Sequence, residues 1–213
     1  MLNQSSENTT QSSDLVWRKL TLSINHSPQN LKLLTQRILF CLDNNLSEFA
    51  AGALQDLFIA LKHNGVDLRL RMLNLINPLL DYSERKYFQQ KIAFESSSPL
   101  LSQEFQYFKG SVLAVEDCQL NESSFLPNVF EFQNVRQEAQ YLTACGKLPQ
   151  AKNILEVSYL KDTTDSELEN ELQSFYFYAK DKKGLEQFIA KLPLNNNNAP
   201  SSWQALQKMA MTW

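Results

Sequence analysis

The chain has 213 residues, 43% of them apolar and 11% aromatic, enough to fill a hydrophobic core without disulfide or metal support. Its five glycines are about a third of the usual frequency of roughly 7%, which disfavours turn-rich all-β folds and favours helices. Twenty basic against 23 acidic residues leave a formal net charge of −3, so nucleic acid is not an expected partner.

Three widely separated cysteines, Cys41, Cys118 and Cys145, make a poor disulfide framework and read as reduced thiols. The opening MLNQSSENTTQSSD carries neither positive charge nor an apolar core, so no signal or transit peptide is expected. The longest apolar stretches, near Ile38 to Leu42, fall far short of the roughly 18 residues that span a bilayer. The expectation is a cytoplasmic protein with no membrane insertion.

Residues 1–13 are nearly all Ser, Thr, Asn and Gln and are expected to form a disordered tail. Residues 14–110 read as helical hairpins. A short helix starts at Asp14, with Val16, Leu20 and Ile24 four apart, and ends at His26-Ser27. Ser27-Pro28 is a helix-start signal for a stripe of Leu31, Leu34, Ile38 and Cys41. Ser47 then caps a helix carrying Ala50, Leu54, Leu57, Phe58 and Leu61 that ends at Asn64-Gly65, making 28–64 a hairpin. Asp67 caps a helix with Leu68, Met72 and Leu75, which Pro78 ends near Asn77. Asp81-x-x-Glu84 has capping-box spacing before Tyr87, Lys91 and Phe94. Ser98-Pro99 starts a helix with Leu101, Phe105 and Phe108 that Gly110 stops. Residues 111–130 read as an irregular connector.

Residues 131–213 return to helical hairpins. Phe132, Val135, Ala139 and Leu142 form a stripe ending at Gly146, and Pro149 opens a helix with Ala151, Ile154, Leu155 and Tyr159. Ser166-x-x-Glu169 leads into Leu168, Leu172, Phe175 and Ala179, followed by a shorter helix with Leu185, Phe188, Ile189 and Leu192. A last helix starts at Pro200-Ser201-Ser202 and carries Trp203, Leu206 and Met209. The fold expected is all-α, built of stacked antiparallel hairpins or an irregular bundle.

Val135 to Ser158 resembles a tetratricopeptide repeat. Ala139, Leu142, Gly146, Ala151 and Leu155 fall where that family places small, bulky, turn, small and bulky residues. A looser second unit runs through Ser174, Phe177, Asp181, Leu185 and Phe188. The first-helix tryptophan and terminal proline of the pattern are absent, with Val135 and Thr163 in their places. The resemblance implies stacked hairpins over about 131–192.

No chemistry assembles in the sequence. The glycines are too far apart for a phosphate loop, and there is no Cys-x-x-Cys or His-Glu-x-x-His. His26 and His63 fall at helix ends. Cys41 and Cys145 lie on apolar faces, and Cys118 has acidic neighbours that oppose ionisation. The acidic run Asp162, Asp165, Glu167, Glu169 and Glu171 lacks the glycine and alternation of a calcium loop and reads as a solvated helix start. Arg69, Arg71, Lys180, Lys182 and Lys183 read as solvated faces. No catalytic residue, metal ligand or cofactor is assigned.

Phe175, Tyr176, Phe177 and Tyr178 circle one helical turn, so they cannot all face one core. Tyr176 and Tyr178 are therefore the partner-binding candidates, since tyrosines are enriched at interface centres. The leading expectation is a protein-protein interaction module, a scaffold or adaptor for another protein or peptide. An enzyme or small-ligand protein with a pocket in a helical core, and a homo-oligomeric structural subunit, are the alternatives.

Overall fold

The computed structural model describes residues 3–62, 64–97, 107–114, 132–192 and 200–213, with side chains omitted for 3–12 and 94–97. Of these residues 77% are helical, in ten α-helices and one 3-10 turn, and no strand occurs among them. The all-α expectation holds. No helix among the described residues is long and apolar enough to cross a membrane. The chain divides into two compact units, Met1–Leu126 with Ala144–Gly146, and Pro127–Thr143 with Lys147–Trp213.

The first unit contains α1 (Asn3–His26), α2 (Leu31–Asp43), α3 (Ser47–Leu61), α4 (Val66–Ile76) and α5 (Tyr82–Ser97). Residues 3–13, expected as a disordered tail, instead extend α1 back to Asn3. Each Ser, Thr, Asn or Gln costs only tenths of a kcal/mol in a helix, roughly, and propagation from an established turn is cheap. The buried face of α1 runs through Trp17, Thr21 and Ile24, leaving Val16 exposed. Helix α2 starts three residues after Pro28, because the Asn30 side chain accepts the amides of Lys32 and Leu33 at 3.2 and 3.3 Å.

Helix α3 is the centre of this unit, with every residue from Phe49 to Phe58 buried. A helix covered on all sides needs neighbours all round, and α2 runs along it while α4 packs on both. Proline 78 ends α4 at Ile76, as expected, and a 3-10 turn follows over Asn77–Leu79. The buried face of α4 is Arg69, Met72, Leu73 and Ile76, so Leu75 points outward. The Asp81/Glu84 capping box closes reciprocally: Asp81 N donates to Glu84 Oε2 at 2.9 Å, and Glu84 N to Asp81 Oδ1 at 2.8 Å.

Residues 111–114, expected within an irregular connector, are buried and tied to α3; residues 115–130 of that connector lie outside the described residues. Asp56 Oδ1 accepts the Ser111 hydroxyl at 2.6 Å and the amides of Val112 and Leu113 at 3.0 Å each. Its Oδ2 holds Arg37 Nη1 at 2.6 Å. Arg37 Nη2 donates to Gly110 O at 2.5 Å and Thr21 Oγ1 at 3.1 Å, and its guanidinium lies 4.1 Å from the Trp17 ring centre. Gln55 Oε1 accepts the Phe108 amide at 3.1 Å. Both charges are fully buried, and these partners offset much of the desolvation cost, although Arg37 Nε is buried without a hydrogen-bond partner among the described residues. Of the helix expected from Ser98-Pro99 to Gly110, residues 98–106 lie outside the described residues, while 107–109, Phe108 included, are not helical and lead into a turn at Gly110 with φ +89.

The second unit contains α6 (Val135–Ala144) except for its last residue, with α7 (Leu148–Lys161), α8 (Ser166–Ala179), α9 (Lys182–Ile189) and α10 (Ser201–Ala210). Asp165, one residue before Ser166, caps α8 by accepting the amides of Glu167 and Leu168 at 3.0 Å each. Leu168, Leu172, Phe175 and Ala179 are buried as their spacing predicts, as are Leu185, Phe188, Ile189 and Leu192. Tyr159, Tyr176, Phe188 and Trp203 form the aromatic centre, with Phe188 and Trp203 ring centres 5.1 Å apart.

Candidate functional site

Helix α8 sorts the aromatic run by phase. At about 100° per residue, Phe177 stands opposite the centre of the buried stripe of Leu168, Leu172, Phe175 and Ala179. Phe177 is 41% exposed, whereas Tyr176 has no exposure at all. Tyr176 is therefore corrected from a partner contact to a core residue. Its face of α8 is covered because α7, α9 and α10 all pack against this helix. Its hydroxyl donates to Glu156 Oε1 at 2.5 Å, and burial, then the adjoining Glu156 carboxylate, pushes the phenol well above its ordinary range. Tyr178 is half-buried and stays beside the outward-facing ring.

An apolar patch is built around Phe177. Its ring meets Tyr178 edge-on at 5.2 Å and Trp213 edge-on at 6.2 Å. Met209, 47% exposed, precedes Trp213 by four residues at the end of α10. Met211 is exposed as well. Sequence reasoning placed Phe177 in the aromatic run but did not choose it as a partner contact, and it passed over Trp213, although a signal for Trp213 exists: it continues the i, i+3, i+7, i+10 series of Trp203, Leu206 and Ala210. Aromatic rings supply large rigid contact area, and exposed methionine adapts to a partner's shape.

The remaining candidates are placed as follows. Cys41 and Cys145 are buried free thiols, and burial pushes Cys41 up to about 12, which removes it as a nucleophile. Cys118 and His63 lie outside the described residues, and His26 is exposed at the end of α1. Arg69, read as part of a solvated face, is buried: its guanidinium donates to Asn64 O at 2.7 Å and lies 5.4 Å from the Phe58 ring centre. The acidic run caps and braces α8. Glu167 pairs with Arg136, Glu171 accepts from Gln140 at 2.8 Å, and Glu169 accepts from Ser202 at 2.5 Å. Among the described residues no three His, Cys, Asp or Glu side chains converge to hold a metal ion.

Two polar clusters pair their charged groups internally. The first is the Arg37–Asp56 pair. In the second, Lys152 Nζ pairs with Asp181 Oδ2 at 2.6 Å while Glu156 holds Tyr176. An open groove along α4, lined by Asp67, Leu70, Arg71, Asn74 and Leu75, brings mixed charge and no converging acid, base or nucleophile. The Phe177 patch is an exposed apolar surface of this unit. No protein-family model matches the chain, and neither a curated protein nor a solved structure matches it.

Proposed function

We propose that this protein is an interaction module that docks another polypeptide on the patch of Phe177, Tyr178 and Trp213. The observation that carries this reading is the placement of Phe177, a large ring 41% exposed on the solvent-facing side of a helix whose opposite face, Leu168, Leu172, Phe175 and Ala179, is buried. An exposed ring costs solubility and adds nothing to the core beneath it, whereas buried against a partner it becomes an anchor.

In the same reading, α6 to α9 are two stacked repeat-like hairpins. Ala139 and Ala151 are buried at the small-residue positions, and Gly146 turns between α6 and α7 with φ +82. Arg136 to Glu167 and Gln140 to Glu171 connect α6 to α8 with the same offset of 31 residues, as neighbouring repeats do. The free thiols Cys41 and Cys145 suit a reducing compartment, which supports a cytoplasmic setting.

A photo-crosslinking amino acid at Phe177 tests the docking reading in cells expressing the chain, with the same probe at exposed Val16 as the reference. The expected result is discrete polypeptide adducts at Phe177 and none at Val16. Absence of adducts at Phe177, or the same adducts at both sites, sinks it.

A further inference from the structure

We infer that the occupant of the Phe177 patch is an acidic peptide segment bearing an apolar or aromatic side chain; this rests on the docking reading above. The aromatic pair runs directly into Lys180, Lys182 and Lys183, all three exposed. None of the three has a carboxylate within ion-pair distance among the described residues. The carboxylate between them is already committed, since Asp181 accepts Lys152 Nζ at 2.6 Å and the Gly184 amide at 2.9 Å. Glu186 is the remaining acid in this stretch. From Phe177 to Trp213 the chain carries five lysines and two acids, against a net charge of −3 for the whole.

Position sharpens the imbalance. Lys180 follows Phe177 by three residues at the C-terminal cap of α8, on the side next to the ring. Lys182 and Lys183 occupy the first turn of α9, which holds no acid and where the helix dipole disfavours cations. Asp181 caps this helix start but is engaged by Lys152 and the Gly184 amide, so an anionic partner supplies the counter-charge that Lys182 and Lys183 lack. A neutral or basic segment would leave three unpaired ammonium groups beside a desolvating interface. An acidic one supplies their counter-charges while its apolar side chain covers Phe177 and Trp213.

Selection of short random peptides displayed on phage against the full chain, counter-selected on Phe177→Ser, tests this. The expected survivors are net negative, carry at least one aromatic or large aliphatic residue, and bind at least about fivefold more weakly to Lys180→Glu/Lys183→Glu. Neutral or basic survivors overturn the acidic assignment and leave the docking reading standing. Failure to recover any peptide that distinguishes the chain from Phe177→Ser overturns both. Two further arms use the intact protein. Sedimentation velocity showing a dimer that Phe177→Ser dissolves, or Phe177-dependent capture on mixed phosphatidylcholine and phosphatidylserine vesicles, also overturns the peptide assignment. Circular dichroism of each variant separates loss of binding from loss of fold.

Discussion

No side chain fits between Gly52 and Ser111: a Cβ on Gly52 would lie 2.5 Å from the Ser111 amide nitrogen and 2.3 Å from Lys109 O. Both obstacles are backbone atoms of the segment that Asp56 anchors through the Ser111 hydroxyl and the amides of Val112 and Leu113, and the Ser111 amide itself donates to Phe108 O at 3.0 Å, so they cannot rotate aside. Gly52→Ala is expected to destabilise the protein by roughly 1 to 3 kcal/mol through overpacking, even though alanine is the better helix former by about 1 kcal/mol. Urea unfolding measures it. A neutral or stabilised variant would mean that 109–111 does not pack on α3.

Arg37→Met is expected to cost about 3 to 5 kcal/mol, because Asp56 is left as a buried charge without its cation. Arg37→Met combined with Asp56→Leu should cost less than the two single changes together, since the double variant removes both charges. A double-mutant cycle by chemical denaturation reads the coupling, and additivity of the two changes would show that the pair does not act as one.

Alkali should loosen the fold in a defined window. Burial raises the Cys41 thiol from 9.0 to about 12, and raises the Tyr107 phenol from 10.0 to about 12. Each is an acid whose neutral form the fold favours. The stability they contribute is complete below pH 9.0 and is lost as pH rises toward about 12, where the folded-state groups ionise. Thermal unfolding followed across that range checks the slope; a flat profile rules out their burial. Iodoacetamide at mildly alkaline pH should likewise leave Cys41 unmodified until the protein unfolds.

Ala151→Leu, at a position with no exposure, is expected to lower stability by roughly 1 to 3 kcal/mol, and Ala139→Leu similarly. Unchanged melting temperatures for both would remove the close helix approach from which the repeat-like reading is argued.

Tyr176 and Phe177 should behave as opposites despite their adjacency. Tyr176→Ala empties a fully buried site and is expected to cost about 3 to 5 kcal/mol, whereas Phe177→Ser should cost far less in stability and act on partner binding. Calorimetric unfolding of the two variants tests the split. Equal destabilisation would place Phe177 in the core.

Local chemistry was legible in the sequence: Pro78 ends α4, Asp81 and Glu84 cap α5, and the Leu168, Leu172, Phe175, Ala179 stripe lies buried. These features depend on residues within a turn or two of each other. The burial of Arg37 and Asp56 was not legible, because the groups that make it tolerable include Gly110, Ser111, Val112 and Leu113, more than fifty residues away from at least one partner. The choice among the aromatic ring candidates shows a different limit. The apolar stripe already puts Phe177 on the outer side of α8. Selecting tyrosines for their chemistry rather than by helical phase points instead to Tyr176, which is buried.

The reach of Asp56 has a consequence for the order in which the protein can be made. Its hydroxyl and amide donors lie 55 to 57 residues further along the chain. On a ribosome, α1 to α3 leave the exit tunnel while those donors are still being synthesised. The central helix must therefore wait with one carboxylate facing only Arg37 and water, open at the place where 107–114 will later seat. Synonymous changes that slow translation between residues 60 and 110 would prolong that interval, and pulse-labelled nascent chains stalled there should be far more sensitive to protease than chains released after Ala114.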